Sequence, residues 1–361
     1  MKGLAPRTLL FLVVFALGSS LLSGTAVAQY SLTTLVANQA AKAPHTDPNV
    51  VNAWGLTRAS TSPFWISDNG TGVSTLYDGA GNAIPLIVSI PAAAGGKGSP
   101  SGVVFNGSND FVVSQNGLSG PGLFLFAAVD GTISGWNPGV AMNNAIIAAD
   151  NSKAGASYTG LAISSGAQGN FLYAADTANN RVDVYDGSFR LIKTLTDSTI
   201  PQGFSAYGIQ DLNGQVYVTF ANPAGGPGGF VDIFTEQGAF VRRFASGGPL
   251  DQPWGLALAP RNFGPFSTAV LVGNNTIDGT INAFNAKTGK FLGHLGDATG
   301  TPLHMDQLWS LQFGGGSSAN GAVNQLFFTA GPNNYQNGRF GVINFVGKKN
   351  KSQSAVQQRG F

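Results

Sequence analysis

Two His-x-Asp triplets carry the side chains best suited to chemistry in this sequence, His45-Thr46-Asp47 and His304-Met305-Asp306. Imidazole titrates near neutral pH and ligates metals, and a carboxylate two residues away can orient it or share the ion. If the two loops met, His45, Asp47, His304 and Asp306 would form a divalent-metal shell or an acid-base pair for a hydrolase or lyase. The triplets lie nine residues before Trp54 and five before Trp309, so their spacing does not itself bring them together. A site, hydrogen bonds that lock two neighbouring loops, and plain surface loops all fit this pattern. The third histidine, His294, falls on a predicted outer strand and reads as structural.

Other catalytic patterns are missing. Glu236 is the only glutamate, and the sequence has no Gly-x-Ser-x-Gly elbow, His-Glu-x-x-His pair or Walker loop. A Ser-His-Asp site assembled from scattered loops stays open. There is no cysteine, which removes disulfides and thiolate metal sites.

The elements that must hold any site are strands. The chain has 361 residues, 43% hydrophobic and 10% charged, with 51 glycines, the makeup of a turn-rich β protein. A short aromatic-plus-glycine signal recurs six times: Trp54-Gly55-Leu56, Ser101-Gly102-Val103, Tyr158-Thr159-Gly160-Leu161, Tyr207-Gly208-Ile209, Trp254-Gly255-Leu256 and Trp309-Ser310-Leu311. Its intervals of 47, 58, 48, 47 and 55 residues are those of propeller blades. Each unit reads as four strands with Gly, Asn and Asp between them. The sixth unit runs out after its third strand, Phe340 to Val346, whereas Tyr30 to Val36 precedes the first signal without a partner. The sequence therefore predicts an all-β, six-bladed β-propeller of four-stranded blades over residues 29–346. Its N-terminal strand completes the last blade, which removes open sheet edges.

The stretch "YAADTANNRVDVYDG" resembles an NHL repeat, with Asp176, Asn180 and Arg181 on its pattern. The mature chain also resembles an uncharacterised family of exported bacterial propellers, through "HTDPNVVNAWGL", "PFWISDNGTGVSTLYDG", "DGTISGW", "QPWGLALAP" and "LWSLQFG". Many relatives end in a Pro-Glu-Pro sorting tail; this chain ends in "GKKNKSQSAVQQRGF". The resemblance implies a fold and an exported location, and no established activity. Within the repeat, Arg181 reads as an inter-blade hydrogen-bond donor and Asp176 as part of the same frame. A gluconolactonase-like metal shell is not expected, because Glu236 falls in an outer hairpin on the opposite face. A zinc site of three converging histidines would need His294 as well.

Residues 1–28 read as a signal peptide: Lys2 and Arg7, the apolar run Leu9 to Leu22, and Ala26-Val27-Ala28 before the cut. The protein is expected to be secreted or periplasmic, with no later membrane span. Setting aside the two leader basics and the four of the flexible tail, residues 347–361, leaves 13 basic against 17 acidic residues, a net of −4. Such a surface gives nucleic acid no counterion-release handle.

In a propeller, the loops leading into the innermost strands and those joining second to third strands share one face around the central channel. That face should carry Trp54, Asp68, Asn69, Tyr158, Tyr207, Trp254 and Trp309, with loops at 177–180, 222–229, 273–279 and 331–338. Aromatic faces beside amides and carboxylates suit a neutral small molecule or glycan, and the face could equally meet a protein partner. The competing reading makes the polar residues turn formers and the aromatics wedges between blades. A monomer is expected. Beyond a divalent metal at the His-x-Asp loops, no cofactor is implied.

Overall fold

The computed structural model describes residues 29–347, which form a ring of six sheets; residues 1–28, where a signal peptide is expected, and most of the basic tail lie outside the described residues. Blade 1 runs outward through Ala53–Thr57, Phe64–Asp68, Val73–Tyr77 and Ala83–Ser89. Blade 3 repeats this with Tyr158–Gly166, Gly169–Asp176, Arg181–Tyr185 and Leu191–Leu195. Blade 2 keeps the order, and its extra length between first and second strands folds into a hairpin, Val112–Gln115 with Leu118–Pro121. Among the described residues no helix is long and apolar enough to cross a membrane.

The last blade closes as the repeat count requires. Its first three strands are Leu308–Phe313, Gln325–Ala330 and Arg339–Phe345, and Tyr30–Ala37 supplies the fourth, antiparallel to Arg339–Phe345. A short fifth strand, His45–Thr46, adds in parallel beside Val36 and Ala37. No alternation of apolar and polar residues marks it in the sequence.

Why the signal contains glycine is visible at the hub. The innermost strands of neighbouring blades approach backbone to backbone. A Cβ on Gly55 would collide with the Ser101 carbonyl, and one on Gly208 with the Trp254 carbonyl. Away from the hub the spaces between blades fill with side chains. Six apolar clusters occupy the six blade-to-blade interfaces. At the junction of blades 6 and 1, Phe64, Phe327 and Phe340 pack with centroids 4.3 to 5.7 Å apart beside Val36 of the closing strand. Each such fully buried ring contributes about 2–3 kcal/mol. The cohesion of the ring is thus shared among interfaces, and no blade has a core of its own.

Candidate ligand cavity on the channel face

The residue one before the motif glycine lies on the innermost strand of each blade, and around the ring it is Trp54, Ser101, Thr159, Tyr207, Trp254 and, where serine replaces the glycine, Trp309. The three tryptophans meet. Trp54 and Trp309 stack at 3.8 Å, and Trp254 sets its edge against them at 6.5 and 5.7 Å. Trp309 donates its indole N–H to Asn52 Oδ1 at 2.8 Å, and Trp254 donates to the Thr159 carbonyl at 3.0 Å. All three are buried, so they plug the channel and offer no stacking surface to a ligand. Tyr158 stands one position before Thr159 and therefore faces the neighbouring blade. Its hydroxyl donates to Asp183 at 2.8 Å and meets Tyr185 at 2.6 Å, while Asn151 donates to it at 2.8 Å.

Asp68 and Asn69 also belong to the frame. Asp68 is wholly buried and accepts from the Thr75 hydroxyl at 2.7 Å; burial pushes its carboxyl well above the usual range. Asn69 accepts from Asn52 Nδ2 and donates to the Pro100 carbonyl, both at 3.1 Å, clamping two successive loops. Of the seven sequence-derived ligand residues, Tyr207 lines the cavity on this face.

The two His-x-Asp triplets are not brought together. His45 sits in the short added strand against Leu35 and the Gly81 turn. Asp47 accepts from the Tyr77 hydroxyl at 2.6 Å and from the Asn49 amide at 2.9 Å. His304 is exposed, with Nδ1 3.1 Å from the Asp278 carbonyl, and Asp306 accepts from the Asn333 amide at 2.9 Å. Among the described residues no group of three or more His, Asp or Glu side chains could hold a metal. His294 is half-buried on the outer strand, its Nδ1 2.7 Å from Asn282 Oδ1.

Arg181 also differs from expectation. Its guanidinium pairs within its own blade, 2.7 Å from Asp183 and 3.5 Å from Asp176, because Arg181 and Asp183 share one strand and Asp176 lies on the strand paired with it. The inter-blade bonds come from its neighbours: Asn180 Oδ1 accepts from the Ala206 amide at 3.2 Å and Thr177 donates to the Ala206 carbonyl at 2.6 Å.

The open volume on the channel face lies over blade 4, which runs from Ser205–Asp211 out to Phe240–Ser246, blade 5, from Pro253–Leu258 out to Phe291–His294, and blade 6. A cavity of about 610 Å³ is floored by Tyr207, Asn275 and Tyr335 and walled by Asp251, Asp278 and Gln307, among others. It sits where segments 221–229, 275–279 and the turn before Gly338 converge with the segments leading into blades 5 and 6. Tyr335 donates its hydroxyl to Asn275 Oδ1 at 2.8 Å, and Asn275 Nδ2 donates to the Leu308 carbonyl at 3.0 Å. Burial raises both phenols above their ordinary range, with a smaller push on Tyr207 from the Tyr335 phenol and on Tyr335 from the charge of Asp306. Both therefore stay neutral hydrogen-bonding groups at physiological pH.

Tyr335 is placed by an unusual backbone. Asn333, Asn334 and Tyr335 have φ of 59°, 52° and 63°, three successive left-handed residues without a glycine. The tyrosine costs about 1 kcal/mol or more there, whereas asparagine tolerates the geometry. The turn is held by Asp306, through the Asn333 amide, and by Gln307, whose Oε1 accepts from the Tyr335 amide at 3.1 Å. The ring of Tyr335 then lies 5.5 Å from that of Trp309. The loops that border the cavity are legible in the sequence, but Asn275, Gln307 and Tyr335 carry no motif that marks them. The one available signal is an amide two residues before each axial tryptophan: Asn52, Gln252 and Gln307 all take left-handed φ, between 48° and 53°.

No family model matches the chain. An uncharacterised protein of Acanthamoeba polyphaga mimivirus is 31% identical over 303 residues, 79% of this chain and 79% of its own length. This chain belongs to that protein's family. A second uncharacterised protein of the same virus is 29% identical over 322 residues, covering 84% of this chain and 78% of its own. Family membership thus brings no activity with it, and these relatives are viral, so they lend nothing to the expected bacterial, exported origin. Among solved structures, a gluconolactonase from Xanthomonas campestris aligns with TM-score 0.54 at 14% identity, over 82% of this chain and 86% of that one. A glucose dehydrogenase aligns with TM-score 0.52 at 10% identity, over 86% and 98%. At such identities the likeness is one of fold, the six-bladed propeller.

Proposed function

We propose that this chain is a non-catalytic binding propeller that takes a small polar ligand in the cavity over blades 4 to 6. One observation carries the reading. Gln307 is only 6% exposed, lines the cavity and spends its Oε1 on Tyr335, while among the described residues no acceptor takes its Nε2. Its Nε2 is therefore a donor left available to a ligand in the cavity. The hydrolase or lyase reading needs His45, Asp47, His304 and Asp306 at one point, and they support separate loops. The leader-like first 28 residues support a secreted or periplasmic setting.

The test is a thermal-shift screen of a mixed small-molecule library against the wild type and Thr276→Trp. Thr276 lines the cavity and its side chain carries no hydrogen bond among the described residues, so an indole there fills the space without breaking the frame. Hits that stabilise the wild type and not the variant support the reading; hits that stabilise both equally, or no hit at all, overturn it.

A further inference from the structure

The cavity has a chemical polarity that narrows its ligand, and this narrowing rests on the binding role proposed for it. Its lining includes two carboxylates, Asp251 and Asp278, and no Lys, Arg or His. Neither carboxylate accepts a hydrogen bond or an ion pair among the described residues; Asp251 takes part only through its amide, which donates to Asn274 Oδ1, and Asp278 only through its carbonyl, facing His304 Nδ1. Acceptors therefore outnumber free donors. Asn275 is spent at both ends, and Gln252 donates its Nε2 to the Gly226 carbonyl at 3.0 Å, leaving its oxygen free.

Gln307 supplies the independent observation. Because a backbone N–H can only donate, its bond from the Tyr335 amide fixes Oε1 toward that turn and Nε2 away from it. That free donor is available to an acceptor atom on whatever fills the cavity. The floor includes two phenol rings, Tyr207 and Tyr335, and an aromatic ring is a partner a cation can use.

We infer that the ligand is a small organic cation: an ammonium group directed to the Asp251 and Asp278 wall, and a hydroxyl or carbonyl oxygen that accepts from Gln307 Nε2. Magnitude decides between a cation and a neutral polyol. In a half-open cavity each carboxylate a few ångströms away favours a unit positive charge over a neutral isostere by roughly tenfold. A neutral polyol satisfies Gln307 equally well but leaves that field unused, and an anion is repelled by it. A volume of about 610 Å³ matches a ligand of one or two rings.

Isothermal titration with a matched series, glucosamine, glucose and glucuronate at pH 6, tests the inference on the wild-type protein. Glucosamine should bind roughly tenfold or more tightly than glucose, and glucuronate should not bind. Asp251→Asn and Asp278→Asn should each bring glucosamine toward the affinity of glucose, and circular dichroism should show both variants folded. Glucose binding as tightly as glucosamine, with both lost in Thr276→Trp, would overturn the cationic class and leave the cavity reading standing. Failure of all three sugars to bind at millimolar concentration also overturns the class, and the library hits removed by Thr276→Trp then judge the cavity separately.

Discussion

The indole rings of Trp54 and Trp309 stack 3.8 Å apart with 18° between their planes, joining the first and last blades at the axis of the ring. The same two blades are joined outside by Tyr30–Ala37, the strand that pairs with Arg339–Phe345. The ring is therefore fastened at two radii, and the inner fastening is unequal. Trp309 donates to Asn52, whereas the buried Trp54 Nε1 has no partner among the described residues. Trp54→Phe should cost less than about 1.5 kcal/mol, a volume loss with no bond broken. Trp309→Phe should cost about 1–3 kcal/mol more, because it strands Asn52 Oδ1. Urea unfolding of the two variants measures the difference; equal losses would mean the indole bond is immaterial.

The outer fastening governs cooperativity. Tyr30 donates its hydroxyl to the Phe263 carbonyl of blade 5 at 2.9 Å, and Leu35 and Val36 pack into the blade 6 to blade 1 interface. One strand thus serves two of the six interfaces. Deleting residues 29–36 should abolish the sharp unfolding transition of the whole ring, and near-ultraviolet circular dichroism should lose its aromatic signal throughout. Retention of a native transition in the deleted protein would show that the seam closes otherwise. Tyr30→Phe should cost about 0.5–1.5 kcal/mol with cooperativity intact.

Asp68 links the fold to pH. Its wholly buried carboxyl has one oxygen bonded to Thr75 and the other unpartnered, with the negative charge of Asp47 nearby. Burial raises its folded-state pKa, so the group favours the folded state below the unfolded value, about 3.9, and this contribution is lost as pH rises toward the folded value. Asp68→Asn keeps the shape and removes the ionisation. It should raise stability relative to the wild type, by more at about pH 8 than at about pH 4, in urea unfolding at the two values. A gain that is larger at the acidic value would reverse the assigned direction.

How much of this is legible in the sequence depends on whether a residue's role is repeated. The motif glycines, the six signals and the unpaired Tyr30–Val36 strand each restate one geometric need, and together they yield the propeller, its register and its closure. The face carrying Tyr207 follows from the same register. Roles that occur once are not legible. Tyr158 differs from the axial residues by a single position, and that position turns it from the channel to the blade interface. The two triplets look alike, but His45 is held by a parallel strand pair and His304 by a carbonyl, contacts that no spacing encodes. Gln307 and Tyr335 matter through a left-handed turn made of Asn-Asn-Tyr, where sequence habit expects glycine.

That turn gives Asp306 a positioning role in place of a chemical one. The Asn333 amide donates to Asp306 at 2.9 Å, and the turn it anchors sets Tyr335 against Trp309 and Asn275. Alanine suffers in left-handed geometry where asparagine and glycine do not, so Asn333→Ala should cost about 1 kcal/mol and Asn333→Gly close to nothing. Asp306→Ala should cost about 1 kcal/mol through the lost bond to the amide. Both alanine variants should also change the emission of Trp309, since the tyrosine ring beside it is no longer fixed, while Asn333→Gly should leave the spectrum as in the wild type. Equal destabilisation by alanine and glycine at position 333 would mean that the side chain, and not the backbone geometry, holds Tyr335 over the cavity.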